Sequence, residues 1–235
     1  MQNGDSAVLR SIDATSASLV AVVEDAIEEA ILDQKLPEGG ALTEADLAAA
    51  LGVSRSPVRD ALKRLAYKGL VQSRGRRGFS VATFSRDQIA DFFSIREALE
   101  GLAARLAAER IRDDELAGLR RHLDHAEREQ ASKRDLGYPA AEGDFHWMIA
   151  RAARSPQLDA TMEPIQARLR LLRRRSGATR ERARQALTEH RAILSAIERR
   201  NADEAEILMR AHIRMARGNL LSPGELSHSQ REPSA

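Results

Sequence analysis

At 235 residues the chain can hold one large domain or two modest ones, and 43% hydrophobic content supports a buried core. Aromatic residues are only 3%, so that core is built from Ala, Leu, Ile and Val, as in helical bundles. With no cysteine, disulfides and thiolate metal sites are excluded, and any transition metal must be held by His, Asp or Glu. The formal charge of +2 is uninformative as a total. Its distribution is not: Thr15 to Ala48 holds eight acidic residues and one Lys, and Ala49 to Phe84 holds eight basic residues and one Asp. A local basic patch of this kind is the electrostatic footprint of a phosphate-binding surface.

Residues 1–14 are polar and read as a flexible arm. Leu19, Val23, Ile27 and Ile31 recur every four residues and predict a first amphipathic helix ending before Pro37-Glu38-Gly39-Gly40. Thr43 caps a second helix, with Asp46 in a capping-box-like position. After the turn at Leu51-Gly52-Val53, Ser56 is the expected N-cap of a third helix, with Pro57 at its first position. Val58, Ala61, Leu62 and Leu65 face inward, Arg55, Arg59 and Lys63 outward, and Gly69 stops the helix in a left-handed conformation. Leu70-Val71-Gln72 and Phe79-Ser80-Val81 flank Arg74-Gly75-Arg76-Arg77-Gly78 as a β-ribbon. Helix, helix, turn, helix and ribbon make a winged helix-turn-helix over residues 15–84. From Asp87 the period is helical. It predicts six helices, near 86–110, 113–134, 138–153, 156–175, 180–199 and 202–220, broken at Gly, Pro, Asn, Asp and Ser. Residues 221–235 lack periodicity and read as a disordered tail. The fold class is mostly α: an N-terminal winged helix-turn-helix plus a C-terminal all-α bundle spanning 85–220.

A helix in the major groove reads bases with the side chains of its N-terminal end. Arg55 and Arg59 stand there, and arginine reads guanine through O6 and N7. Ser54 and Ser56 are short hydroxyls suited to phosphate or base. Arg76 and Arg77, at the ribbon tip, suit a minor groove or a phosphate. Lys63 and Arg64 lie deeper and serve the DNA backbone or solvent. LGVSRSPVRDALKRLAYKGLV followed by RRGFSVA resembles the winged-helix domain of GntR-type bacterial transcription regulators over nearly all of residues 15–84. The resemblance implies that Ser54, Arg55, Ser56 and Arg59 contact DNA, with the wing around Gly75–Gly78 contributing. Some family members carry a DNA-contacting arginine early in the second helix; the matching place here is Ala45.

The remainder resembles the all-helical (FCD-type) effector domain of the FadR subgroup over about residues 88–218. The similarity is carried by SIREALEGLAARLA from Ser94, EGDFH from Glu142, EHRAILSAIE from Glu189 and MRAH from Met209. Many such domains hold a divalent metal with an Asp and three His, which implies His146, His190 and His212 as ligands here. Four residues before His146, where the family has Asp, stands Glu142, one methylene longer and still able to coordinate. Imidazoles with a carboxylate suit Zn, Ni, Mn or Fe. Asp144, only two residues from His146, faces elsewhere on a helix. His122, His125 and His228 read as surface or tail residues. Arg96 and Glu100 share a helix face, so Arg96 either anchors a carboxylate effector, as the resemblance implies, or forms an i,i+4 salt bridge. The arginine-rich stretch from Arg168 to Arg184 reads as a solvated helix pair with one or two arginines turned inward.

These features point to a DNA-binding regulator rather than an enzyme, and the resemblance implies a homodimeric repressor binding a pseudo-palindromic double-stranded operator, its affinity altered by a small carboxylate metabolite. The absence of a signal pattern and of a membrane-length apolar run gives the expectation of a cytoplasmic, nucleoid-associated protein without a membrane partner. The competitors are a metal-dependent hydrolase using the three histidines and an architectural DNA-binding protein without an effector.

Overall fold

The computed structural model describes residues 14–75, 78–131, 140–175 and 180–222; the side chains of 14–18, 140–144, 173–175 and 180 lie outside that description. The arm, most of the tail, Arg76, Arg77 and His228 therefore fall outside the described residues. The chain divides into two compact units, Met1–Ala82 and Thr83–Ala235.

The first unit runs α1 (Ala14–Leu32), β1 (Ala41–Leu42), α2 (Glu44–Leu51), α3 (Arg55–Tyr67), β2 (Val71–Ser73) and β3 (Phe79–Val81). Val23, Ile27 and Ile31 of α1 are buried, as are Val58, Ala61, Leu62 and Leu65 of α3. Leu19 is not: it is exposed, and Val20 takes its place. A strict four-residue repeat rotates by about 40° per step around a helix of 3.6 residues per turn, so its first member drifts off the buried stripe. Thr43 caps α2, accepting from Asp46 N–H at 3.1 Å, while its hydroxyl donates to the Asp46 carboxylate at 2.6 Å. Helix α3 starts earlier than Ser56: Ser54 is the N-cap, with no side-chain cap bond, and Pro57 sits in the third helical position. Every N–H of a first helical turn lacks an intrahelical partner, so proline is tolerated throughout that turn. Gly69 ends the helix at φ +71°, as its lack of a Cβ allows.

The ribbon forms, with β2 shifted one residue later than the apolar pattern predicted. It acquires a third strand, the order being β1-β3-β2 with every pairing antiparallel. Ser80 lies opposite both Ala41 and Gln72, at the centre of the sheet.

In the second unit six helices follow: α4 (Arg86–Arg110), α5 (Asp113–Ala131), α6 (Ala140–Ala152), α7 (Pro156–Arg175), α8 (Arg180–Glu198) and α9 (Ala202–Leu220). A complete capping box opens α4: Ser85 Oγ accepts from Gln88 N–H at 3.2 Å, and Gln88 Oε1 accepts from Ser85 N–H at 2.9 Å. Helices α4 and α9 run antiparallel, as the cross-links Arg217–Ser94, Arg214–Glu97 and Arg105–Asp203 require. Buried Ala103, Ala104, Ala107 and Ala108 keep the α4 backbone close to its neighbours, and the leucines and isoleucines of α5–α9 fill the core around it. Ser85→Ala removes one half of the capping box. It is expected to destabilise the helical unit by about 1 kcal/mol, read as a lower midpoint for that unit's transition in urea.

Candidate nucleic-acid interface and candidate metal centre

Ser54, Arg55, Ser56 and Arg59 are all exposed at the start of α3, on one end of the first unit. Ala45 is exposed in the first turn of α2. Arg59 is not a free cation. Its Nε donates to Glu44 Oε1 at 2.8 Å and its Nη2 to Glu44 Oε2 at 2.7 Å. That hydrogen-bonded pair holds the Glu44 carboxyl below its ordinary range.

Deeper in α3 the basic residues serve the protein itself. Arg64 reaches Glu24 at 3.5 Å, and Lys68 bonds Glu24 at 2.7 Å and Glu28 at 3.1 Å. Both carboxylates lie on the buried face of α1. Arg64 stays exposed while reaching Glu24, and with Lys68 it compensates acidic groups that α1 brings toward the core. In the ribbon Arg74 is likewise engaged. Its Nε donates to the fully buried Ser80 Oγ at 2.9 Å and its Nη2 to Gly39 C=O at 3.2 Å. Arg74 thus fastens the base of the wing, whose turn needs glycine at Gly75 (φ +61°) and Gly78 (φ +84°).

In the second unit α6, α8 and α9 bring His146, His190 and His212 together, each buried, with ligand-capable nitrogens all within 4.8 Å of one another. His212 is central: its Nε2 lies 3.2 Å from His146 Nε2 and 3.3 Å from His190 Nε2. His146 Nδ1 faces the Glu100 carboxylate, and His212 Nδ1 faces Glu189 Oε2 at 2.5 Å. A carboxylate can only accept, so both Nδ1 atoms carry the proton and both Nε2 atoms present lone pairs to each other. Burial pushes the His146 imidazole down to about 4, keeping it neutral at physiological pH despite Glu100. Three converging imidazoles, two of them backed by a carboxylate, are a donor set that fits a divalent cation. Glu142 lies on α6 one turn before His146, and its side chain is outside the described residues.

Each carboxylate is in turn held by an arginine. Arg96 Nε bonds Glu100 Oε1, and Arg182 clamps Glu189 with Nη1 to Oε1 at 2.9 Å and Nη2 to Oε2 at 3.0 Å. Burial opposes the charge on Glu100, but Arg96 and His146 outweigh it and hold the carboxyl far below its usual range. Burial also opposes the charge on Glu189, which His212 and Arg182 likewise overcome. The two alternatives for Arg96 are not exclusive. It makes the i,i+4 pair with Glu100, yet its Nη2 is buried without a hydrogen-bond partner. Phe145 stacks on His190 with ring centroids 4.3 Å apart.

Sequence reasoning missed Glu100, Glu189 and Arg182 as supports of the histidines. The one available signal was the seven-residue spacing of Arg182 and Glu189, two turns along one face of α8. Within the arginine-rich stretch Arg182 is turned inward and Arg170 and Arg184 are exposed; the side chains of Arg173, Arg174, Arg175 and Arg180 lie outside the described residues. His122 is half-buried and His125 exposed, both away from the three-histidine group.

Residues 19–81 match the family described as bacterial regulatory proteins, gntR family, and residues 91–215 match the FCD domain. The chain belongs to the GntR family, with an FCD helical domain. It is 30% identical over 176 residues to the Nta operon transcriptional regulator of Aminobacter aminovorans, covering 74% of this chain and 81% of that protein. It is 30% identical over 176 residues to the HTH-type transcriptional repressor RspR of Escherichia coli strain K12, covering 74% and 77%. In fold it is similar to E. coli McbR/YncC, with a TM-score of 0.72 at 22% identity, covering 86% of this chain and 96% of that one. A GntR regulator from Rhodococcus sp. RHA1 gives 0.70 at 25% identity, covering 87% and 98%. This GntR-family chain is thus a bacterial transcription regulator, and none of its described helices is long and apolar enough to cross a membrane.

In this regulator Lys68→Ala leaves Glu24 and Glu28 on the buried face of α1 without their shared ammonium. The expected cost is about 1–3 kcal/mol of stability in the DNA-binding unit, measured by urea unfolding, because carboxylates with little access to water lose their partner.

Proposed function

We propose that this regulator is a metabolite-responsive repressor, acting as a homodimer on a pseudo-palindromic operator. Ser54, Arg55, Ser56 and Arg59 enter a major groove, and Arg76 and Arg77 of the wing grip a minor groove or phosphate. The helical unit holds a divalent metal through His146, His190 and His212, with Glu142 as the fourth protein ligand. A small carboxylate bound there changes operator affinity, because it binds one of two states of the dimer more tightly than the other. The metal's contribution when bound is to attract and orient the anionic ligand. The protein works at the nucleoid, in the cytoplasm.

One observation carries this reading: three buried imidazoles converge beside a buried arginine, Arg96, that reaches His146 through Glu100 and keeps one guanidinium nitrogen unpaired. An unpaired buried donor on a cation is costly, and a ligand carboxylate satisfies it. The dimer reading is supported by exposed apolar side chains along the antiparallel α4–α9 pair: Ile95 and Leu102 on α4, Ile207 and Met215 on α9. Repression is supported by the name of the RspR relative.

The test is metal content in untagged protein purified without chelator. Wild type is expected to carry a stoichiometric divalent ion, with His212→Ala losing it because His212 bridges the other two histidines. Unchanged metal in His212→Ala, or none in wild type after metal is added back, overturns the metal-centred reading. Titration of the metal-loaded protein with mono- and dicarboxylates is expected to shift its affinity for DNA, and Arg96→Ala to abolish that shift. On a sizing column with light scattering the protein is expected to run as a dimer.

A further inference from the structure

The exposed face of the DNA-binding unit carries a carboxylate where phosphate binding alone would favour none. Glu44 stands at the start of α2, directly against Arg59 of α3. A negative group on a DNA-facing surface repels every phosphate equally, so sequence-independent attraction does not account for it. The geometry of the pair does. A guanidinium presents two hydrogen-bonding edges: a side edge of Nε–H and one Nη2–H, and an end edge of Nη1–H and the other Nη2–H. Glu44 occupies the whole side edge, with Nε on Oε1 at 2.8 Å and Nη2 on Oε2 at 2.7 Å. The end edge remains, and two parallel donors are what O6 and N7 of a guanine accept.

We infer that Glu44 is a positioning residue for base reading: its carboxylate fixes the plane and direction of the Arg59 guanidinium so that the end edge is presented to a guanine. This rests on the proposal that Arg59 reads a base. Glu44 is itself rigidly placed. It is the first residue of α2, at the favourable positive end of that helix, and Thr43 just before it is tied into the Asp46 cap. Arg59, by contrast, is a long side chain with more than half its surface in solvent, which without a partner would sample many rotamers. The carboxylate therefore trades attraction for all DNA against orientation toward one base. Its neighbour Ala45 offers DNA only a methyl group, so the polar chemistry of the first turn of α2 toward α3 is the Glu44–Arg59 pair.

The test uses full-length wild type, Glu44→Gln and Arg59→Ala, checked for equal thermal melting. Each is incubated with a pool of duplexes randomised over two helical turns, and the bound fraction is sequenced. The duplex preferred by wild type, its single-base-pair variants and a mixed-sequence control are then titrated at fixed salt. Arg59→Ala is expected to erase the preference for G·C at one position of each half-site, a loss of about tenfold in discrimination. Glu44→Gln is expected to weaken discrimination at that same position and no other, while binding the mixed-sequence duplex more tightly because one repelling charge is gone. A merely structural role would lower binding to all duplexes together. If Arg59→Ala loses the position and Glu44→Gln keeps it, or tightens on every duplex with discrimination intact, Glu44 is a competitor of DNA and the inference fails alone. If Arg59→Ala weakens all duplexes equally, Arg59 is a phosphate contact and the base-reading proposal fails with it.

Discussion

A carboxylate enclosed in a helical core needs partners for both of its oxygens, and the site in the second unit is arranged around that requirement. Glu100 is buried on α4. Arg96, one turn back, takes one oxygen, and His146 takes the other through Nδ1. The second bond fixes the imidazole tautomer, and with it the direction of the Nε2 lone pair. The same arrangement recurs with Arg182, Glu189 and His212. Two arginine–carboxylate–imidazole relays therefore approach from different helices and bring their Nε2 atoms together, where His190 meets them. Buried ion pairs contribute little net stability. Their value here lies in orientation, which an apolar core of equal volume would not provide.

In the first unit charge is managed by cancellation. Three of its basic residues bond the protein itself: Arg64 and Lys68 reach α1, and Arg74 reaches the centre of the sheet. Among the described residues, Arg55 and Arg59 at the start of α3 and Lys63 one turn on remain exposed. The acidic first half of the unit and its basic second half are two sides of one packing arrangement, in addition to a contrast in surface potential.

Much of the fold was legible because its boundaries are written in local chemistry. Gly69, Ser155-Pro156 and Asn201 break helices for reasons internal to a few residues, and the six helices of the second unit begin and end close to where those breaks stand. The errors were of a different kind. Leu19 was assigned inward because a four-residue repeat is only approximately helical. Ser56 is the cap that Pro57 suggests and Ser54 the cap that forms, because proline marks a first turn without marking its first residue. Strand β1 was invisible because two residues carry no period; it exists through pairing with β3. At the site, periodicity offered three histidines on three helices, and only the family resemblance singled them out. The arginine–carboxylate spacings along α4 and α8 were legible, but the meeting of Glu100 with His146 across 46 residues and of Glu189 with His212 across 23 was not. Such pairings are products of packing and leave no local trace.

The two relays differ in one respect. The Glu100 side chain is 1% exposed and the Glu189 side chain 26% exposed. Water can reach the Glu189 carboxylate if Arg182 is lost, whereas Arg182 and His212 are themselves buried. On the Glu100 side a lost partner strands a guanidinium or an imidazole in the dry interior. The Arg182 half can therefore lose its arginine at lower cost than the Arg96 half, where a lost arginine leaves Glu100 without access to water.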